Sequence, residues 1–204
     1  MTVEAWSLLV EQMQERGTVF DIGLTDAEVA IAEARFSFRF PPDLRAFLQT
    51  ALPKGERFPN WRSDNYGVLQ DWIDLPKQGV LFDIEHNGFW LEEWGTRPKS
   101  LDDAKRVASE LIAVAPKLIP IFIHRMMPDE PHVTGNPVFS VHQTDIIYYG
   151  FDLADYLRHD FHLPGREPWP ENMRQIRFWD IDRFQKVRWD AGSCVFDNSK
   201  GLLP

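Results

Sequence analysis

Two carboxylates, Asp83 and Glu85, have a spacing that is typical of acid–base chemistry. They alternate with apolar side chains in a run, residues 80–84, that has the composition of a buried strand. Alternate residues of a strand share a face, so both carboxylates would project toward one cleft. Paired carboxylates in different environments can divide the roles of acid and base. The sequence favours a plainer interpretation, which is a solvated outer face or ion pairs with Arg97 or Arg125.

Histidines supply the second candidate chemistry, a metal site. His124, His132 and His142 occur within one stretch, and His159 and His162 follow it. Their spacing matches no common zinc motif, and neither a pair of cysteines nor a close carboxylate triad supports them. Structural histidines are therefore the favoured interpretation, and a metal enzyme that uses His124 and His142 is the alternative. We expect no cofactor.

Tryptophan and arginine side chains point to a third function, protein recognition. Most tryptophans are expected in the core, but tryptophan and arginine also dominate the residues that carry binding energy in protein interfaces. A partly exposed subset beside acidic side chains would form a binding surface. The residues predicted for this surface are Trp61, Arg62, Asp83, Glu85, Trp90, Trp94, Arg97 and Arg125.

The charge balance limits the partners. The 22 Lys and Arg residues against 31 Asp and Glu residues give a net charge of −9. Binding to nucleic acid or to an anionic membrane depends on basic surface, so this balance argues against both partners. It favours a protein partner with a basic surface.

Cysteine content and the N-terminus bear on location. The single cysteine, Cys194, cannot form an internal disulfide, as expected in a reducing compartment. The first residues follow an amphipathic pattern that is unlike a signal peptide, and no apolar run reaches the roughly 18 residues of a membrane span. These features predict a cytoplasmic protein.

The elements that would position these side chains centre on residues 115–156. An apolar run at residues 118–124, interrupted by Pro120, predicts a strand that either starts beside the proline or lies at a sheet edge, and a loop follows it. Residues 138–142 and 146–149 predict a short antiparallel hairpin. Asp152 would cap a helix behind it.

The flanking segments add further helices. Helical spacing predicts a helix over residues 3–16, and a capping box at Thr25 and Glu28 begins a second. A third helix starts at the proline pair 41–42, with an apolar stripe that includes Ala51 and Leu52.

The middle and the end of the chain have mixed signals. Residues 54–78 are rich in loop-forming residues and have a periodicity too weak for an assignment. Asn87-Gly88 after the strand at 80–84 predicts a hairpin turn. Ser100 would cap a helix that ends before Pro116. Residues 173–189 interleave aromatic and basic side chains, and we expect these aromatics to pack back on the domain because aspartates interrupt the basic run.

Several segments, in this order, resemble the SUKH superfamily, which includes fungal regulators of cell-wall glucan synthesis and bacterial immunity proteins. These segments are LTDAEVAIAEARF, PPDLRAFL, FPNWR, VLFDIEHNGFW, EEWGTRP, APKLIPIFIHR, GNPVFSVHQTDIIYYG and DLADYL. The similarity covers residues 24–161, the expected core, and leaves the N-terminal helix and a C-terminal extension, residues 164–204, outside it.

The resemblance implies a single α+β domain with a mostly antiparallel sheet flanked by helices. It also implies a non-enzymatic role, since bacterial members resemble antitoxins that bind a cognate secreted toxin domain. Three hypotheses follow. The chain is an immunity protein, a general regulatory interaction module, or an enzyme that uses the carboxylate pair or the histidines.

Overall fold

The structure is a computed structural model that describes residues 1–179 and 181–190, without the side chains of residues 186–190. Cys194 lies outside the described residues. Within them the chain forms seven α-helices and six strands. In chain order these are α1 (Val3–Glu15), β1 (Val19–Ile22), α2 (Asp26–Phe36), α3 (Pro42–Thr50), β2 (Ala51–Lys54), α4 (Tyr66–His86), α5 (Leu101–Ala113), β3 (Leu118–Phe122), β4 (Arg125–Pro128), β5 (Val138–His142), β6 (Asp145–Gly150), α6 (Leu153–Asp160) and α7 (Ile181–Asp190).

The predicted helix starts are confirmed where a polar side chain can satisfy the first free N–H groups. Thr25 and Glu28 form a complete capping box at α2, and Asp152 accepts a hydrogen bond from the backbone N–H of Asp155 at the start of α6. Ser100 caps α5 in the same way. Local polar chemistry therefore determined these boundaries.

The main sheet is antiparallel with the strand order β3-β4-β5-β6, so β3 lies at an edge, which is one of the two predicted alternatives. The predicted hairpin is confirmed as β5 and β6, joined by Gln143 and Thr144, with Gln143 at a φ of 55°. Strand β4 falls where the sequence predicted a loop. A second sheet pairs β1 with β2, and both of these strands were missed.

Ala51 and Leu52 belong to strand β2, so their assignment to the third helix was wrong. Helix α3 ends at Thr50, one residue before the strand begins. Both side chains are buried in the strand, as they would be on the apolar face of a helix. The helical spacing of apolar residues therefore continues through them.

The strand at residues 80–84 and the hairpin at Asn87-Gly88 are also wrong, because this segment is the end of α4, a 21-residue helix. Its interior holds Pro76 and Gly79, which normally disfavour a helix by about 3 and 1 kcal/mol. Burial outweighs these local costs. The residues that α4 buries have helical spacing, and they are Leu69, Pro76, Val80, Asp83 and Ile84.

Both faces of the main sheet are buried, as the alternation of neighbouring residues shows. Ile119, Met127 and Val138 join one apolar cluster with α1–α3 and α6. The next residues along the sheet join a second cluster with α4, α5 and α7, and these are Leu118, Met126 and Phe139. The molecule is therefore a single α+β unit in which helices cover an antiparallel sheet on both sides.

The α7 end of the chain packs back on the domain, as the sequence predicted for its aromatics. Trp179 and Phe184 are buried in the second cluster, and the indole N–H of Trp179 donates to the carbonyl oxygen of Pro116 at 2.7 Å. Gln185 also donates to the carbonyl oxygen of Ile146, which occupies part of the outer edge of β6.

The closest approach between α4 and the sheet occurs at Gly79, and it gives the first prediction. A Cβ atom built there would lie 2.5 Å from the Cα of Gln143, so backbone would have to move. Gly79→Ala should therefore destabilise the fold by about 1–3 kcal/mol, despite the higher helix propensity of alanine. Urea denaturation measures this change.

Gly67 in the same helix supplies the matched control. Its Cβ would meet the side-chain oxygen of Asn65 at an ordinary 3.5 Å, so Gly67→Ala should stabilise by up to about 1 kcal/mol. If Gly79→Ala and Gly67→Ala raise the free energy of unfolding by equal amounts, α4 does not pack this closely against the turn between β5 and β6.

Candidate protein-binding surface

Trp61 is a core residue and not a surface residue. It lies in the first cluster among Phe36, Phe38 and Phe40, with ring centroids 5.0 Å from Phe40 and 5.8 Å from Phe38. Edge-to-face geometry of this kind adds about 0.5–1.5 kcal/mol per pair beyond the area buried. The assignment of Trp61 to a partner-binding surface is therefore corrected, because the ring is buried.

Arg62 links the start of α2 to the preceding chain. Its Nε donates to a carboxylate oxygen of Glu28 at 2.5 Å, while its two terminal nitrogens donate to the carbonyl oxygens of Ile22 and Gly23 at 2.8 Å. The hydrogen bond from Arg62 and those from Thr25 lower the pKa of Glu28 to about 2. Arg62 thus has a structural role that its residue type did not reveal.

Asp83 and Glu85 do not form a carboxylate pair. They lie two positions apart on α4, which turns about 200° between them. Asp83 is buried and accepts hydrogen bonds from the backbone N–H and hydroxyl of Thr144, whereas Glu85 pairs with Lys105. The prediction of two carboxylates on one sheet face is wrong, because the segment is a helix, and Asp83 offers no surface to a partner.

Trp90, Trp94 and Arg97 fix the segment after α4. The indole N–H of Trp90 donates to the carbonyl oxygen of Gly95 at 2.7 Å, and Trp94 stacks on Phe178 with centroids 5.9 Å apart. Arg97 donates to the carbonyl oxygen of Ile84 in the last turn of α4, where a cation also suits the helix dipole. Both indole rings are half-buried.

Arg125 differs from the other predicted residues because it lies in a polar cluster. Its guanidinium group covers the Tyr149 ring at 3.6 Å and donates to the hydroxyl of Ser140 at 2.8 Å. His124 also contacts it. The structure thus brings Arg125 together with His124 and near His142, the two histidines of the metal-enzyme alternative.

The largest exposed apolar feature on a helix is the outer face of α4, which we call the α4 stripe: Val68, Leu75 and Phe82. Their exposed fractions are 52%, 43% and 45%. A seven-residue spacing drifts by only about 20° per repeat, so the three side chains form a nearly straight line about 21 Å long. The buried face of α4 lies about a third of the circumference away.

Acidic side chains border the α4 stripe. Asp71 is exposed and lies one helical turn from both Val68 and Leu75. Asp64 is exposed in the segment just before α4, and within the described residues neither aspartate has an ion-pair partner. This surface therefore combines apolar contact area with negative charge.

The sequence did not reveal the α4 stripe, because the periodicity of residues 54–78 was too weak for any assignment. The helix carries two apolar patterns. One is the buried set of α4, and the other is the exposed set, whose members are seven residues apart. Pro76 and Gly79 concealed these patterns, since both residues ordinarily interrupt helices.

Metal and membrane sites receive no support from the described part of the chain. Among residues 1–179 and 181–190, no three histidine, cysteine, aspartate or glutamate side chains converge to hold a metal ion. None of the helices described combines the length and apolar character needed to cross a bilayer.

Comparison with family models, with curated proteins and with solved structures finds no match to this chain. The resemblance to the SUKH superfamily stays a prediction, and the surface itself has to carry the functional argument.

The Arg62–Glu28 contact gives the second prediction. Because folding lowers the pKa of Glu28 from 4.5 to about 2, its contribution to stability is present above pH 4.5 and is lost as the pH falls toward 2. Glu28→Gln should be less stable than wild type near neutral pH, and this difference should close across that window. Urea midpoints at a series of pH values test this.

A double-mutant cycle with Arg62→Gln assigns the effect to the pair. The coupling between the two substitutions should be present near neutral pH and should vanish in acid. A coupling of zero at every pH would show that Arg62 acts through its carbonyl contacts alone.

Proposed function

We propose that this chain is a non-enzymatic protein-binding domain, and that it is an immunity protein that neutralises a cognate toxin domain in the cytoplasm. The α4 stripe carries the proposal of protein binding. The resemblance to the SUKH superfamily supplies the more specific proposal of immunity.

Three exposed apolar side chains aligned on one face of a helix favour contact with another macromolecule, since single scattered exposed residues are common. The stripe lies on a long, well-packed helix, so binding would order little backbone and would cost little conformational entropy. Contact along a line of this length suits a helix or an extended segment of a partner.

Charge selects the kind of partner. Asp64 and Asp71 beside the stripe, and the net charge of −9, would repel a second copy of this chain and attract a basic surface. Complementary charge raises the rate of association more than it deepens the affinity. A basic toxin domain is thus the partner that this surface fits.

A general regulatory interaction module, as in the fungal relatives that the resemblance suggests, is the alternative. It would use the same surface with several partners. The enzyme hypothesis has lost its carboxylate pair, because Asp83 and Glu85 diverge on α4.

The third prediction tests the stripe directly. The double substitution Leu75→Ser and Phe82→Ser should weaken binding to the toxin domain encoded beside this gene by about 2 kcal/mol or more, which is roughly 30-fold. It should lower the unfolding midpoint only modestly, because both side chains are partly exposed, at 43% and 45%. Biolayer interferometry with the purified toxin domain measures the affinity.

Ile31→Ser is the matched control, since Ile31 is an exposed apolar residue on another helix, α2. It should bind like wild type, and co-expression should rescue growth with this control but not with the double variant. Equal binding by all three proteins would exclude the α4 stripe as the surface.

Asp71→Lys provides the electrostatic arm. It should slow association at about 0.05 M salt and have little effect at about 0.5 M, where exposed charges are screened. Faster association by this variant would indicate an acidic partner and would contradict the proposal.

A further inference from the structure

A second feature of the surface is a group of basic side chains. It lies where strand β4 begins and strand β5 ends. Arg125 on β4 pairs in register with Ser140 on β5, and His142 lies two residues further along β5. Residues two apart on a strand share a face, so Ser140 and His142 point to the same side. His124, in the turn before β4, completes the group, which we call the β4–β5 basic corner.

Arg125 is half-buried and has no carboxylate partner in the part of the chain that the structure describes. One terminal nitrogen, Nη1, donates to Ser140 and contacts Nε2 of His124, while Nε is buried without an acceptor and Nη2 has none either among the described residues. In a chain with 31 acidic residues, a half-buried guanidinium without a counter-ion is a site with unused donors.

The nearest carboxylates are engaged elsewhere. Asp160 accepts a hydrogen bond from the hydroxyl of Tyr156 at 3.1 Å, and Asp145, which pairs in register with His142, accepts one from the side chain of Gln185 at 2.9 Å. Neither lies within ion-pair distance of Arg125 in the described residues. Tyr149 and His159 border the group through ring contacts, with centroids 5.1 Å apart.

The charges around His124 act on its pKa. Burial lowers the pKa of His124, the charges of Arg125 and His142 lower it further, and the carboxylate of Asp160 opposes them. A neutral His124 accepts a hydrogen from Arg125, whereas a protonated His124 would add a second donor and repel the guanidinium. An anion placed among these groups would remove that repulsion.

We infer that the β4–β5 basic corner binds an oxyanion, either a phosphate-type dianion or a carboxylate, through Arg125, Ser140 and the imidazoles of His124 and His142. The guanidinium offers its unused Nη2 donor to such a group, and its stacking on Tyr149 holds it in place. The inference does not depend on the α4 stripe or on the immunity proposal.

The fourth prediction uses sulfate as the probe, because its charge does not change across the working range, with acetate as the carboxylate arm. NMR titration of the intact chain at constant ionic strength, balanced with chloride, should show saturable shifts of Arg125 and the two imidazoles. Binding should tighten as the pH falls, because bound sulfate favours the protonated form of His124, whose pKa is lowered by burial in the free protein. Sulfate should also raise the pKa of His124.

The two probes distinguish the source of the oxyanion. Tighter binding of sulfate would indicate a phosphate-type ligand, and tighter binding of acetate would indicate a carboxylate, such as an acidic side chain of a partner. Both outcomes support a site. The inference is overturned if chloride produces the same chemical shift changes as sulfate and acetate and neither probe shows saturation.

Variants make the assignment to these residues. Arg125→Gln should weaken binding about tenfold or more, and His142→Gln, which alters an exposed side chain and so preserves the fold, should weaken it several-fold. Arg106→Gln is the control, because Arg106 is exposed and already paired with Asp103 and Glu110. The control should bind both probes as wild type does. If His142→Gln also binds sulfate and acetate as tightly as wild type, the site is not at this corner.

Discussion

The packing of helix α4 against the β5–β6 turn is the contact on which the rest of the structure depends. A sheet that is apolar on both faces needs a helical layer on each side, and α4 provides much of the layer over the second cluster. At the turn, Gly79 lets the helix approach the backbone of Gln143, and the carboxylate of Asp83 satisfies two donors of Thr144. Loss of such buried partners costs about 1–3 kcal/mol for each group left unsatisfied.

This constraint explains why residue types alone do not identify a functional site. Asp83 has the chemistry of a catalytic acid, but its hydrogen bonds are used to hold the turn. Arg62 has the chemistry of an interface residue, but its donors are used by Glu28 and two carbonyl oxygens. Arg125 differs in one measurable respect, since some of its donors have no acceptor among the described residues. The number of unused donors separates these side chains better than their identity does.

The surface therefore presents two features with opposite character. The α4 stripe is apolar with an acidic border, and the β4–β5 basic corner gathers an arginine and two histidines in a chain of net charge −9. A partner with a basic surface suits the first feature, and an oxyanion suits the second. The two proposals can succeed or fail separately because they rest on different residues.

The sequence by itself determined the features that depend on neighbours in the chain. The capping box at Thr25, the cap at Asp152 and the β5–β6 hairpin follow from side chains and turns a few residues apart. Only the tertiary structure decided that residues 66–86 form one helix, because burial of its apolar face outweighs the local cost of Pro76 and Gly79. It also decided which polar side chains are satisfied. The partners of Asp83 and Arg62 lie 61 and 34 or more residues away in the chain, and no local pattern specifies contacts at that separation.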